Sequence, residues 1–127
     1  MTTVPEAVAT ATASVTRLYA LGSVPPKPTY PYGVQSSSLG RGDAYTLDAV
    51  EGLRWGRIVV QTFGKTQDSA VALAEQARGE LVGSTLAVTG YATTPIRAEL
   101  DPQIGRDPDD NGVVDVTATY VFTATQE

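Results

Sequence analysis

"LRWGRIVVQTFGKTQDSAVALAEQARGELVG", residues 53–83, holds both halves of the fold. Its first twelve residues are rich in β-branched and aromatic types and end at Gly64, which reads as a strand. Ile58, Val60 and Thr62 point one way along it, and Trp55, Val59 and Phe63 the other, so both faces are at least partly covered. From Thr66 onward the hydrophobic period changes to that of a helix. Thr66 stands as N-cap, Asp68 lies in the first turn and Gly83 takes the C′ position. The apolar stripe is Ala70, Leu73, Ala74, Ala77 and Leu81, and that much alanine lets the helix axis approach a sheet closely. Glu75, Arg78 and Glu80 fall on the solvated face.

The cleanest alternation is "VVDVTATYVFTA", residues 113–124. Val114, Val116, Ala118, Tyr120, Phe122 and Ala124 share one face, while Asp115, Thr117, Thr119 and Thr123 share the other. One face is buried; the other is wet or covered by a partner. Between helix and terminal strand, residues 85–100 form a β-rich run interrupted by Gly90 and Pro95. Toward the N-terminus, "PEAVATATA" (5–13) reads as a short helix with Pro5 at a tolerated first position. "SVTRLYALGSV" (14–24) reads as a strand ending at Gly22. "PPKPTYPYG" (25–33) has four prolines in nine residues, which makes it stiff, extended and unfit for a central strand. "SSSLGRGD" (36–43) opens an exposed loop that runs to about residue 52. The whole reads as a single α+β domain over residues 1–127: an antiparallel sheet with one major helix, about 66–82, packed across it.

Composition narrows the function. Of the 127 residues 42% are hydrophobic and 18% charged, which suits one globular core rather than a disordered chain. A net charge of −5 without a basic run argues against nucleic acid as a specific partner. No apolar stretch approaches the ~20 residues needed to span a bilayer, and "MTTVPEAVAT" lacks the basic and apolar regions of a secretory signal. The chain has no Cys and no His, so disulfides, thiolate or imidazole metal sites and Ser–His or Cys–His nucleophile systems are excluded. The cysteine usage fits assembly in a reducing cytoplasm. Carboxylates, Lys and Tyr remain for acid–base work, but no carboxylate pair stands out, and no glycine motif for a nucleotide is present. The expectation is a non-enzyme without cofactors.

"GRDPDDNGVVDV" (105–116) matches the start of a calcium loop, with Asp107, Asp109, Asn111 and Gly112 at positions 1, 3, 5 and 6. Position 12, which needs a bidentate carboxylate, is Ala118 inside the alternating strand, and both flanks read as strands. A looser oxygen site from Asp107, Asp109, Asp110 and Asp115 is the alternative. The segment is read as an acidic strand-to-strand turn and no metal is expected. Tyr19, Tyr30 and Tyr32 near the proline run either line an aromatic groove for a peptide or pack against the sheet; the second is favoured. "GRGD" (40–43) matches a short attachment tripeptide only by chance in a Ser/Gly loop.

The order of these elements resembles the tail terminator (tail completion) proteins of long-tailed bacteriophages. The resemblance spans roughly residues 14–124 and rests on "YPY" at 30–32, the strand–G-K-T–helix unit at 58–81, and a terminal strand with Tyr120 and Phe122. The family's N-terminal helix is longer and richer in Leu than "PEAVATATAS". The resemblance implies a homo-hexameric ring at the head–tail junction of the virion, assembled in the host cytoplasm. Such a ring sits on the tail tube protein, ends tube polymerisation and meets the head-completion (neck) proteins. Genome DNA would pass its lumen without specific binding, and no membrane is involved. An acidic lumen lined by Asp43, Asp48 and Glu51 would repel phosphate. The residues expected to make contacts are Tyr30, Tyr32, Arg41, Asp43, Asp48, Glu51, Thr117 and Thr119. Pairing between subunits at a sheet edge is expected from the Thr-rich face of 113–124. The alternatives are another neck protein (head-closure or tube-like), a small peptide-binding module built on Tyr30 and Tyr32, and more distantly a carboxylate hydrolase.

Overall fold

The computed structural model describes residues 1–40, 53–99, 102–106 and 112–127. Helix α1 (Val4–Ala11) is followed by strands β1 (Leu18–Ala20), β2 (Tyr32–Leu39) and β3 (Leu53–Gly64). Helix α2 (Gln67–Leu81) then leads to β4 (Tyr91–Thr93), β5 (Arg97–Ala98), β6 (Gln103–Arg106) and the long β7 (Val114–Gln126). The sheet runs β1-β2-β3-β7, and β4, β5 and β6 each pair with β7 along its far side. All of these pairs are antiparallel except β1 with β2, which are parallel, so the sheet is mixed rather than antiparallel throughout.

The core lies between the sheet and the two helices. Ile58, Val60 and Thr62 of β3 and Val116, Ala118, Tyr120, Phe122 and Ala124 of β7 face inward, as the alternation requires. The alanine-rich stripe of α2 meets them, with Ala70, Leu73, Ala74, Ala77 and Leu81 all buried. Val4, Ala7 and Val8 of α1 extend the same cluster. Close approach of α2 is visible at Thr62, whose buried hydroxyl donates to the Ala70 carbonyl at 2.9 Å. Gly56 faces Phe122 across the β3–β7 pair, and a Cβ there would lie 2.2 Å from the ring. Thr66 caps α2 by accepting from the Ser69 N–H, while Ser69 Oγ accepts from the Thr66 N–H. At the other end Gly83 has a φ of +86, the left-handed backbone of a C′ glycine.

Three expectations change. The strand expected over 14–24 contracts to Leu18–Ala20, because Arg17 (φ +62) and Gly22 (φ +91) turn the backbone out of the extended region on either side. The loop expected from residue 36 begins later: Ser36–Leu39 continue β2 and pair with Gly56–Val59 of β3. Serine has little strand preference of its own, so the long partner strand imposes the conformation. The expected subunit pairing through 113–124 also needs another place, because β7 already has β3 on one side and β4, β5 and β6 on the other. The proline segment ends at Pro31, and β2 starts immediately after it.

Candidate functional site

Both helices lie on one face of the sheet, and the described residues put no helix over the other. That open face is ordered in cross-strand rows. Tyr32, Phe63 and Asp115 form one row, then Val34, Gln61 and Thr117, then Ser36, Val59 and Thr119. The last row is Ser38, Arg57, Val121 and Arg97, reaching into β5. Most of these side chains are half-buried, and Trp55 at the end of β3 is 46% exposed.

One end of the face is aromatic. Tyr32 stacks on Phe63 with ring centroids 5.0 Å apart, and Tyr30 tilts against Tyr32 at 5.3 Å. The Lys65 ammonium sits 4.6 Å above the Tyr30 ring, a cation–π contact. The Tyr30–Pro31 peptide bond is cis. In the middle, Gln61 Nε2 donates to Asp115 Oδ2 at 3.0 Å. At the other end a cavity of about 750 Å³ opens, lined by Ser38, Trp55, Arg57, Arg97, Glu99 and Val121. Arg57 and Glu99 form an ion pair across it at 3.1 Å, both partly in solvent, so the pair adds little stability. Below the sheet, burial raises the Tyr120 phenol above its ordinary range; nearby Arg78 opposes the shift and Glu75 adds to it.

Four expected contact residues therefore share one surface: Tyr30 and Tyr32 at its aromatic end, Thr117 and Thr119 in adjacent central rows. The tyrosines pack on each other, Tyr32 also on Phe63 and Tyr30 against Lys65. Arg41, Asp43, Asp48 and Glu51 lie outside the described residues, as do Asp107, Asp109, Asp110 and Asn111 of the calcium-like pattern. Among the described residues no group of three or more acidic side chains comes together to hold a metal ion, and no helix is long and apolar enough to cross a membrane. Sequence reasoning passed over Trp55, Arg57, Arg97 and Glu99. The available signal was an alternating strand that placed Trp and Arg on a face with no apolar helix stripe left to cover it.

No protein-family model and no curated protein matches the chain. Among solved structures the fold recurs. It is similar to that of a chain from the virion of a native gene transfer agent (GTA) particle. That likeness has a TM-score of 0.70 at 18% identity and covers 97% of this chain and 95% of the other. A second solved protein matches with a TM-score of 0.54 at 13% identity, over 98% of this chain and 89% of its own. At these identities what is shared is the fold.

Proposed function

We propose that this chain is a structural virion protein of the tail-terminator type. Copies of it form a ring, six in the family it resembles, that caps the tail tube, stops its growth and joins the tail to the neck proteins. The observation that carries this reading is the likeness to a gene transfer agent virion chain over nearly the full length of both, joined to the motif order of the terminator family. An open, half-apolar sheet face with a wet rim supports it, because such faces mark contact surfaces. In this reading Tyr30, Tyr32, Thr117 and Thr119 make contacts between virion proteins, and Arg41, Asp43, Asp48 and Glu51 act from the segment after Gly40. The three carboxylates of that segment keep the lumen acidic, so DNA passes without being held. The chain performs no catalysis and requires no cofactor.

One fold hosts many functions, so the test has to read the role directly. Particles produced without this gene, viewed by negative-stain microscopy, are expected to show filled heads beside unattached, overlong tails. Tails of normal length beside leaking heads would move the protein to the head side of the neck. Intact particles would overturn the assembly reading and leave the peptide-binding module.

A further inference from the structure

The cavity at the Trp55 end of the open face is a trough laid across β7. Its floor is the half-buried Val121, and its walls come from the strands on either side. Trp55 and Arg57 stand on β3; Arg97 stands on β5, with Glu99 two residues further along. Adjacent strands lie about 4.8 Å apart, so walls that flank one strand are roughly 10 Å apart, enough for a side chain to lie between them. The volume of about 750 Å³ is that of a ligand pocket.

The charges of the trough do not cancel. Arg57 Nη2 donates to Glu99 Oε1 at 3.1 Å, and each neutralises the other. Arg97 is exposed on the opposite wall and has no acidic partner among the described residues. Trp55 is 46% exposed, although tryptophan ordinarily buries most of its surface. An unneutralised guanidinium, an open indole and an apolar floor therefore stand together, and Trp and Arg are the side chains that dominate binding hot spots.

We infer that this trough docks an acidic segment of a partner protein. A Glu or Asp carboxylate of the segment takes the Arg97 guanidinium, and a neighbouring aliphatic side chain lies on Val121 against Trp55. Charge decides the class of partner. A nucleic-acid backbone needs several cations along its path, whereas the trough has one unneutralised cation on a chain of net charge −5. A single carboxylate needs only one, and the planar guanidinium offers it two parallel donors. Glu99 repels a second carboxylate, so one acid flanked by apolar residues fits better than an acidic run. This inference rests on the reading of the open face as a contact surface between virion proteins and names the chemistry of what it meets.

Trp55 is the one tryptophan of the chain, so its emission reports on the trough directly. The test adds acetyl-Leu-Glu-Leu-amide, or its neutral twin acetyl-Leu-Gln-Leu-amide, to the purified full chain. The Glu peptide is expected to move the Trp55 emission to the blue with saturation. The Gln peptide is expected to bind roughly two- to fivefold more weakly, the range of a partly exposed ion pair. Arg97→Gln should erase that preference without moving the melting temperature, because the side chain is exposed. Glu99→Gln should act the other way and tighten the Glu peptide by a similar factor, since it frees Arg57 and removes a like charge. No saturable shift, equal binding of the two peptides, or an Arg97→Gln variant that still prefers Glu would each overturn the inference. A shift on concentrating the chain alone would overturn it in favour of a second copy, and a shift with a single-stranded oligonucleotide but not with the peptide in favour of phosphate. None of these outcomes depends on tail length in particles, so the docking site can fail while the virion reading stands.

Discussion

Gly56 shows how a single atom governs the core. The Phe122 ring occupies the place of a side chain above β3, and a methyl group there would stand 2.2–2.5 Å from three ring carbons. Gly56→Ala therefore forces Phe122 from its rotamer, and the expected cost is about 1–3 kcal/mol, the usual range for overpacking. Denaturant titration would check it; the companion change Phe122→Leu in the alanine background should recover part of the loss. A second residue ties stability to pH. Burial raises the Tyr120 phenol above its ordinary value of 10.0, so the folded state holds that proton more tightly than the unfolded chain. Its contribution is complete below pH 10 and is lost as pH rises above it toward the folded-state value. Melting curves of wild type and Tyr120→Phe should keep a constant offset from pH 7 to 9. Above pH 10 the wild type should fall faster, and parallel curves there would show that the phenol is not desolvated.

At the level of elements, legibility followed the range of the interactions. Helix α2 and strand β7 were fully readable, because a stripe of Ala70, Leu73, Ala74, Ala77 and Leu81 or an alternation from Val114 to Ala124 is a local pattern that the core enforces. Strand β2 was not. Ser36, Ser37 and Ser38 become strand only because β3 extends far enough to pair with them, a partnership some twenty residues away. The parallel β1–β2 pair was hidden for a related reason: it depends on turns at Arg17 and Gly22 that no periodicity records. The helix permits a graded test. Thr66→Ala removes the acceptor for the Ser69 N–H, and about 1 kcal/mol should be lost. Leu81→Ala empties a fully buried position where α2 meets the core, and about 2–5 kcal/mol should be lost. Chemical denaturation should rank the two in that order. Equal losses would mean that the core collapses around position 81 and the stripe matters less than the cap.

For the molecule as a whole, the candidate surface was legible only in pieces. Thr117 and Thr119 were readable as a polar face, and Tyr30 and Tyr32 as an aromatic pair. The Arg57–Glu99 cavity was not, since four strands distant in sequence build it. The same separation hides the charge pattern in a net value. The chain carries −5 overall, yet 36 residues from 7 to 42 contain no carboxylate while five acids crowd residues 99–110. Copies of a chain charged so unevenly along its sequence attract in some arrangements and repel in others. Screening weakens both, because the Debye length falls from about 10 Å at 0.1 M salt to about 3 Å at 1 M. Association of the wild-type chain should therefore decrease between those concentrations, while the melting temperature of each subunit, set by the apolar core, changes little. Strengthening with salt would assign the contact to apolar burial, with charge selecting orientation alone. Sedimentation at the two salt concentrations separates these cases, and repeating it with Lys27→Glu tests the source of the attraction: that variant should associate more weakly at 0.1 M and match wild type at 1 M.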